Sequence, residues 1–374
     1  MAVLIKESPI RRIQLFGQDI WLDFIDRGLI RSGSLARLIE EDGISGVTSN
    51  PTIFEQSFSG GEYDDDIHEM AGQGLGAEDI YKRITSAEIR SAADVFMPLF
   101  ESSRGRRGFV SLEVSPHLAY DPVRTVQEAR ELRDLVDRPN LLVKIPATME
   151  GLAAIRQCIS EGISINVTLL FGLSRYMHVA QAYIEGLEER TGRNESPVGV
   201  TSVASFFLSR IDAMVDPMLD RISLGGPGSE QAKTLFGQVA SCCAKIAYQM
   251  QQEIFASPKF HDLAAKGATP QRLLWASTGT KNPMFSDIKY VESLIGLDTI
   301  NTMPMATLKA YQDHGEPESR LDMNPDRPVR LLSHLDDLGI KLDEIADALE
   351  LEGVEKFKKP YDASLDRIRQ RGAK

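Results

Sequence analysis

Lys144 is the residue whose sequence surroundings most constrain its chemistry. It stands in LLVKIP (141–146), after three apolar residues and two before a proline. Lysine is almost never fully buried unless it is paired. Removing an ammonium from water favours the neutral amine, the form that attacks a carbonyl carbon. A salt-bridged or snorkelling lysine at a strand end fits the same local sequence. Two carboxylates in similar runs, Asp23 in IWLDFI (20–25) and Glu113 in FVSLEV (109–114), are candidates for an acid and a base whose pKa values their surroundings could separate. Each alone also reads as an ion-pair partner. Polar side chains recur where a purely structural strand would be apolar: Thr48 and Asn50 in GVTSN (46–50), Asn166 and Thr168 in ISINVTLLF (163–171), Ser205 in VGVTSVASFF (198–207) and Ser277 in RLLWAST (272–278). Side chains two apart share a strand face, so Ser111 points with Glu113, and Asn166 with Thr168. Parallel strands sandwiched between helices have no solvated face, so these residues point to a functional cluster. Phosphate binding needs fixed cations and backbone donors. Arg210 in ASFFLSR and Lys281 in STGTKNP follow the sixth and seventh runs and are the candidates for it.

The elements that must position these residues are the runs themselves, completed by TINTMP (299–304). Between them lie stretches with apolar residues at helical spacing, such as Val126, Ala129, Leu132, Leu135 and Val136, or Leu173 through Tyr176, Val179 and Ala180 to Tyr183. Alternating strands and helices imply parallel pairing through right-handed crossovers. Eight such units close a (β/α)8 TIM barrel, an α/β fold whose strand C-termini converge on one mouth. The second-to-third and sixth-to-seventh connections, roughly sixty residues each, are too long for simple loops and must hold additional helices. The first contains EYDDDIHEM and the spaced residues Ile80, Ile84 and Ile89; the second contains a turn at SLGGPGSE and one helical pattern from Gln231 to Ile254. EPESRLDMNPDRP (316–328), with its prolines, reads as a loop-like linker. The stripe Leu342, Ile345, Leu349, Val354, Phe357, Tyr361, Leu365 and Ile368 then predicts a C-terminal helix packed on the barrel. The whole chain, 1–374, reads as one barrel domain.

Composition narrows the function classes. The chain has 374 residues with 42 Lys+Arg against 54 Asp+Glu, a formal charge of −12, and is 42% hydrophobic. It is long enough to bury a large core without disulfides or metal. The acidic balance disfavours nucleic acid and anionic membranes as partners but leaves room for a local phosphate pocket. No apolar run approaches the roughly 18 residues of a membrane span, and MAVLIKESPIRR lacks a signal-peptide core. Cys158, Cys242 and Cys243 have no CxxC or metal-ligand spacing, which makes a reducing cytoplasm the expected compartment; the adjacent pair lies in a helical pattern and reads as packing. The histidines include no HExxH pair, so no metal is expected. The glycines of GQGLGA (72–77) follow no strand, STGTK lacks the glycine spacing of a P-loop, and the two N-x-S/T sequons mean little without a secretory signal.

Together, GVTSNPTIF (46–54), VSLEVSPHLAYD (110–121), NLLVKIPATMEG (140–151) and INVTLLFGLSRY (165–176), in this order on strands two to five, resemble the transaldolase family, class I Schiff-base aldolases of the pentose phosphate pathway. Weaker matches at WLDFIDRG (21–28), ASFFLSRID (204–212), WASTGTKNP (275–283) and the C-terminal helix extend the likeness over nearly the whole chain. Its length and long insertions look most like the extended actinobacterial and cyanobacterial-type branch. The resemblance implies a transfer of a dihydroxyacetone unit between sugar phosphates, with no cofactor and no metal, because a lysine iminium serves as the electron sink.

Residue by residue, Lys144 takes the place of the Schiff-base lysine, Asp23 that of the base for the C4 hydroxyl, Glu113 that of an acid/base acting through a water, and Thr168 that of a residue holding the water. Asp26 stands close enough to Asp23 to compete for its role; Asp23 is preferred because it lies within the strand-like run. Asn50, Asn166 and Ser205 correspond to contacts with the dihydroxyacetone hydroxyls and the carbinolamine, and Arg210 to a phosphate-binding arginine. The seventh-strand loop departs from the family's Ser-x-Arg: Ser277 is followed by Thr-Gly-Thr-Lys281, making Lys281 the substitute cation with less bidentate grip. The competing expectations are an aldolase that releases free dihydroxyacetone, whose chains are much shorter, and a catalytically silent barrel used for binding. Monomer and homodimer are both open.

Overall fold

In the computed structural model, described for residues 8–373, eight parallel strands close into a barrel in chain order. They are β1 (Asp19–Leu22), β2 (Gly46–Thr48), β3 (Phe109–Glu113), β4 (Leu141–Pro146), β5 (Ile165–Leu170), β6 (Ser202–Phe207), β7 (Arg272–Ala276) and β8 (Ile300–Met303). Seven fall within the expected runs, β1 begins one residue before its own and ends three short of it, and β1 pairs with β8 to complete the ring. The strands are buried on both faces: Leu142 and Val143 on opposite faces of β4, and Asn166 and Val167 on opposite faces of β5, are all inaccessible to solvent. That double burial is why each strand reads as an almost continuous apolar run. Register carries the site. Glu113 lies beside Lys144, and Lys144 beside Asn166, so three adjacent strands present these side chains at one level.

The long connections hold helices, as their length requires. Pro51–Ser59, Asp64–Gly72 and Ala77–Ser102 lie between β2 and β3. Between β6 and β7 the helical pattern expected from Gln231 to Ile254 is two helices, Ser229–Leu235 and Val239–Phe255, flanked by Ser209–Ser223 and Pro258–Ala264. The chain breaks at Gly237, whose φ of +68° is a left-handed conformation that interrupts an otherwise helical apolar pattern. The segment expected to be a linker ends in a helix at Asp326–Asp337, with Pro328 in its first turn, where a proline's missing N–H costs no helical bond. The C-terminal helix runs 31 residues, Leu342–Gly372, and buries Leu349, Val354, Phe357, Tyr361, Leu365 and Ile368 of the expected stripe. Cys158, Cys242 and Cys243 are free, buried thiols. No described helix is long and apolar enough to cross a membrane.

Candidate active site

The C-terminal ends of the strands bring the chemistry-bearing residues to one mouth. Lys144 is 4% exposed. Its ammonium donates to the Ser49 carbonyl at 2.7 Å and ion-pairs with Glu113 Oε1. Its burial is therefore compensated by a carboxylate and a carbonyl, and the carboxylate is in place to take its proton. Burial pushes the Glu113 carboxyl above its usual range, an effect opposed by the Lys144 charge and hydrogen bond and reinforced by Asp23. Asp23 stands one residue past the end of β1, where its N–H still donates to the Met303 carbonyl at 2.8 Å and continues the ladder to β8. Its carboxylate accepts from Thr48 Oγ1 at 2.7 Å and lies 3.5 Å from Asn50 Nδ2. Burial raises its pKa as well, opposed by the charge of Lys144, by both hydrogen bonds and by the charge of Lys281. Both carboxylates are thus better proton acceptors than they would be in water. Asp26 is otherwise employed: its side chain accepts from Leu29 N at 2.6 Å and caps the helix Arg27–Arg31.

Asn50 belongs to a local design that explains its motif. Its side chain caps the helix Pro51–Ser59 by accepting from Ile53 N at 3.1 Å, and Pro51 fills the first helical position, where its missing N–H costs nothing. The amide nitrogen is left pointing at Asp23. The end of the lysine motif is set by Gly151, where an added Cβ would lie 2.1 Å from the Pro146 carbonyl. Asn166 bridges its neighbours, donating to Ser111 Oγ at 3.1 Å and accepting from Ser205 Oγ at 2.6 Å. Thr168 is fully buried, and its hydroxyl has no protein partner. It faces a cavity of about 10 Å³ bounded also by Glu113, Lys144, Val354 and Phe357, at the lower limit of what holds one water. Immediately after Thr168, Leu169 adopts a left-handed φ of +53°, and the β5–β6 register shifts between Val167 and Leu170. Such an irregularity re-aims a side chain at the cost of local strain.

The cationic end lies by β6 and β7. Arg210 is the second residue of the helix Ser209–Ser223, and its Nη1 is buried without a hydrogen-bond partner. Burial lowers its pKa, partly offset by Glu352. A desolvated guanidinium with an open donor is suited to an anion. Ser277 sits at a left-handed φ of +54°, and its hydroxyl lies 2.9 Å from that of Ser209. Lys281 is exposed and has no ion-pair partner among the described residues. It borders a cavity of about 760 Å³, lined also by Ser209, Asp212, Asp216 and Phe236, which does not reach Lys144.

A family model described as Transaldolase/Fructose-6-phosphate aldolase matches residues 20–368. The chain belongs to this family. Among similar proteins is a transaldolase of Thiobacillus denitrificans, 45% identical over 95% of this chain and 98% of the relative. Transaldolases of the actinobacterium Saccharopolyspora erythraea and the cyanobacterium Trichodesmium erythraeum are 44% and 42% identical, each over 97% of both chains. Within this family member, Lys144, Glu113, Asp23, Asn50, Asn166, Thr168 and Ser205 gather at the barrel mouth. Arg210, Ser277 and Lys281 lie at its β6–β7 edge, with Lys281 the one that faces solvent. Sequence reasoning missed the Ser49 carbonyl that holds Lys144. It also missed Thr302, whose hydroxyl lies 2.8 Å from that of Thr48 and extends the network behind Asp23. Ser209 was passed over too. Thr302 stood in TINTMP as a polar residue of a barrel strand, the same signal that singled out Thr48; the Ser49 carbonyl had none.

Proposed function

We propose that this chain, folded as one domain, transfers a dihydroxyacetone unit from sedoheptulose 7-phosphate to glyceraldehyde 3-phosphate, giving erythrose 4-phosphate and fructose 6-phosphate, through a Schiff base on Lys144. The observation that carries the reading is the setting of Lys144: buried, in contact with Glu113, and beside a cavity of about 10 Å³ that also touches Thr168. Glu113 takes the ammonium proton, and the free amine adds to the C2 carbonyl. The same proton, relayed by a water held between Glu113 and Thr168, leaves with the C2 hydroxyl as water and gives the iminium. Asp23 accepts the C4 hydroxyl proton as the C3–C4 bond breaks, and the bonding pair moves into the enamine. Asn50, Asn166 and Ser205 hold the hydroxyls of the retained unit. Arg210, Ser277 and Lys281 receive the phosphate. The acceptor aldehyde enters, the steps run in reverse, and hydrolysis frees Lys144.

The test is the reverse reaction. Fructose 6-phosphate and erythrose 4-phosphate should give sedoheptulose 7-phosphate and glyceraldehyde 3-phosphate in equal amounts, with Lys144→Ala inactive. Equal release of free dihydroxyacetone with or without the acceptor would assign an aldolase instead. No turnover of either kind would leave a binding barrel.

A further inference from the structure

The C-terminal helix contributes side chains to the space beside Lys144. Val354 and Phe357, 1% and 8% exposed, wall the cavity that touches Lys144, Glu113 and Thr168. The helix is fastened around that cavity rather than merely laid over it. Arg175 donates to Glu350 at 2.7 Å and to the Ala147 carbonyl at 2.6 Å, joining the helix to the first residue after β4. Farther along, Asp362 pairs with His117 at 2.7 Å, in the segment that follows β3. Between these ties Gly353 packs against the barrel, where an added Cβ would lie 3.0 Å from Leu169 Cδ2 and 3.6 Å from Arg210 Nη1. Leu169 is the left-handed residue beside Thr168. One helix therefore meets the exits of three strands that carry Glu113, Lys144 and Thr168.

We propose that Phe357, with Val354, is a positioning residue that limits the Lys144 site to a single water, and that the C-terminal helix thereby sets the balance between transfer and hydrolytic loss. The inference rests on the Schiff-base reading above. After cleavage, the enamine must wait for an acceptor. If a proton from solvent reaches C3, the enamine becomes an iminium and water adds at C2. The C–N bond then breaks with its electron pair returning to the Lys144 nitrogen, and dihydroxyacetone is released. The cavity at Glu113 and Thr168, walled by Val354 and Phe357, has room for about one water, so no chain of solvent reaches Lys144 from under the C-terminal helix to deliver that proton.

The experiment compares the full-length protein with Phe357→Ala and Phe357→Leu. Three quantities are measured: the borohydride-trapped adduct from fructose 6-phosphate, dihydroxyacetone released without acceptor, and transfer to erythrose 4-phosphate. F357A should still form the adduct on Lys144, while its ratio of release to transfer rises severalfold. F357L, which keeps an apolar wall, should return the ratio toward that of the unaltered protein. Should F357A fail to fold, Phe357→Val is judged by the same ratio. A ratio unchanged while the adduct forms would overturn the proposal, because a merely structural loss lowers both rates together. Absence of an adduct in the unaltered protein would instead overturn the Schiff-base reading.

Discussion

Replacing Thr168 with Val should lower catalysis and leave stability nearly unchanged. The two side chains are nearly isosteric, so the substitution deletes one hydroxyl and leaves the β5 backbone and its packing in place. The Thr168 hydroxyl is buried without a protein partner and faces the small cavity at Glu113 and Lys144. If it holds the water used in dehydration and hydrolysis, its loss removes one hydrogen bond of about 0.5–1.5 kcal/mol net. At about 1.4 kcal/mol per factor of ten, that is a roughly two- to twelvefold fall in kcat. The change in KM should be small, because the hydroxyl makes no claim on the substrate phosphate. Stability should change by less than about 1 kcal/mol, because the hydroxyl makes no hydrogen bond to protein for valine to break. Steady-state kinetics and urea unfolding of T168V, with Thr168→Ser as the hydroxyl-retaining control, check both halves. Unchanged kcat in T168V would refute the water-holding role. A stability loss near 2 kcal/mol would show that the hydroxyl is a structural bond.

Asp23→Asn should retain Schiff-base formation but block C3–C4 cleavage, lowering kcat by roughly 10²–10⁴. Borohydride would then trap the six-carbon sugar phosphate on the protein, and a trapped three-carbon unit would contradict the assignment of Asp23 as base. Arg210→Ala should raise KM for phosphorylated substrates by roughly ten- to a hundredfold, the worth of a charged hydrogen bond of about 1.5–3 kcal/mol. Lys281→Ala, at an exposed site, should do so by less; unphosphorylated acceptors should be nearly indifferent to both. Burial pushes the Asp216 carboxyl up to about 6 from 3.8, while the Gly237 N–H at 2.8 Å holds it down and Asp212 adds to the rise. Ionisation is then easier in the unfolded chain, so this residue's contribution to stability is lost as pH rises from about 4 through 6, by at most about 3 kcal/mol. Asp216→Asn keeps an acceptor for Gly237 without the charge. It should be more stable than the unaltered protein at pH 8 by about 1–3 kcal/mol and close to it at pH 4; denaturant titrations at both pH values check this.

The barrel was legible because its strands are buried on both sides, so the runs stood out against helical spacing. LLVKIP is β4 to the residue. Lys144, Glu113 and Asn166 were legible for a related reason: a polar side chain in such a run must meet something specific. Which groups would meet was not legible, since barrel closure and register bring Glu113 to Lys144 and Thr302 to Thr48. The left-handed backbone at Leu169 and Ser277 has no sequence signal in residues that are not glycine. The break at Gly237 lay inside an apolar pattern that continued on both sides of it, and prolines disguised the first turn of the helix Asp326–Asp337 as the end of a linker. Phe357 showed only the period of a helix, which says that it is buried but not against what.

The central claim, that Lys144 is the nucleophile, is tested most directly by intact-protein mass spectrometry after incubation with fructose 6-phosphate and borohydride. The account predicts an adduct of one reduced dihydroxyacetone unit that maps to Lys144, is absent from Lys144→Ala, and is lost when erythrose 4-phosphate is added before the reductant. No adduct on the folded protein, or an adduct on another lysine, would contradict it.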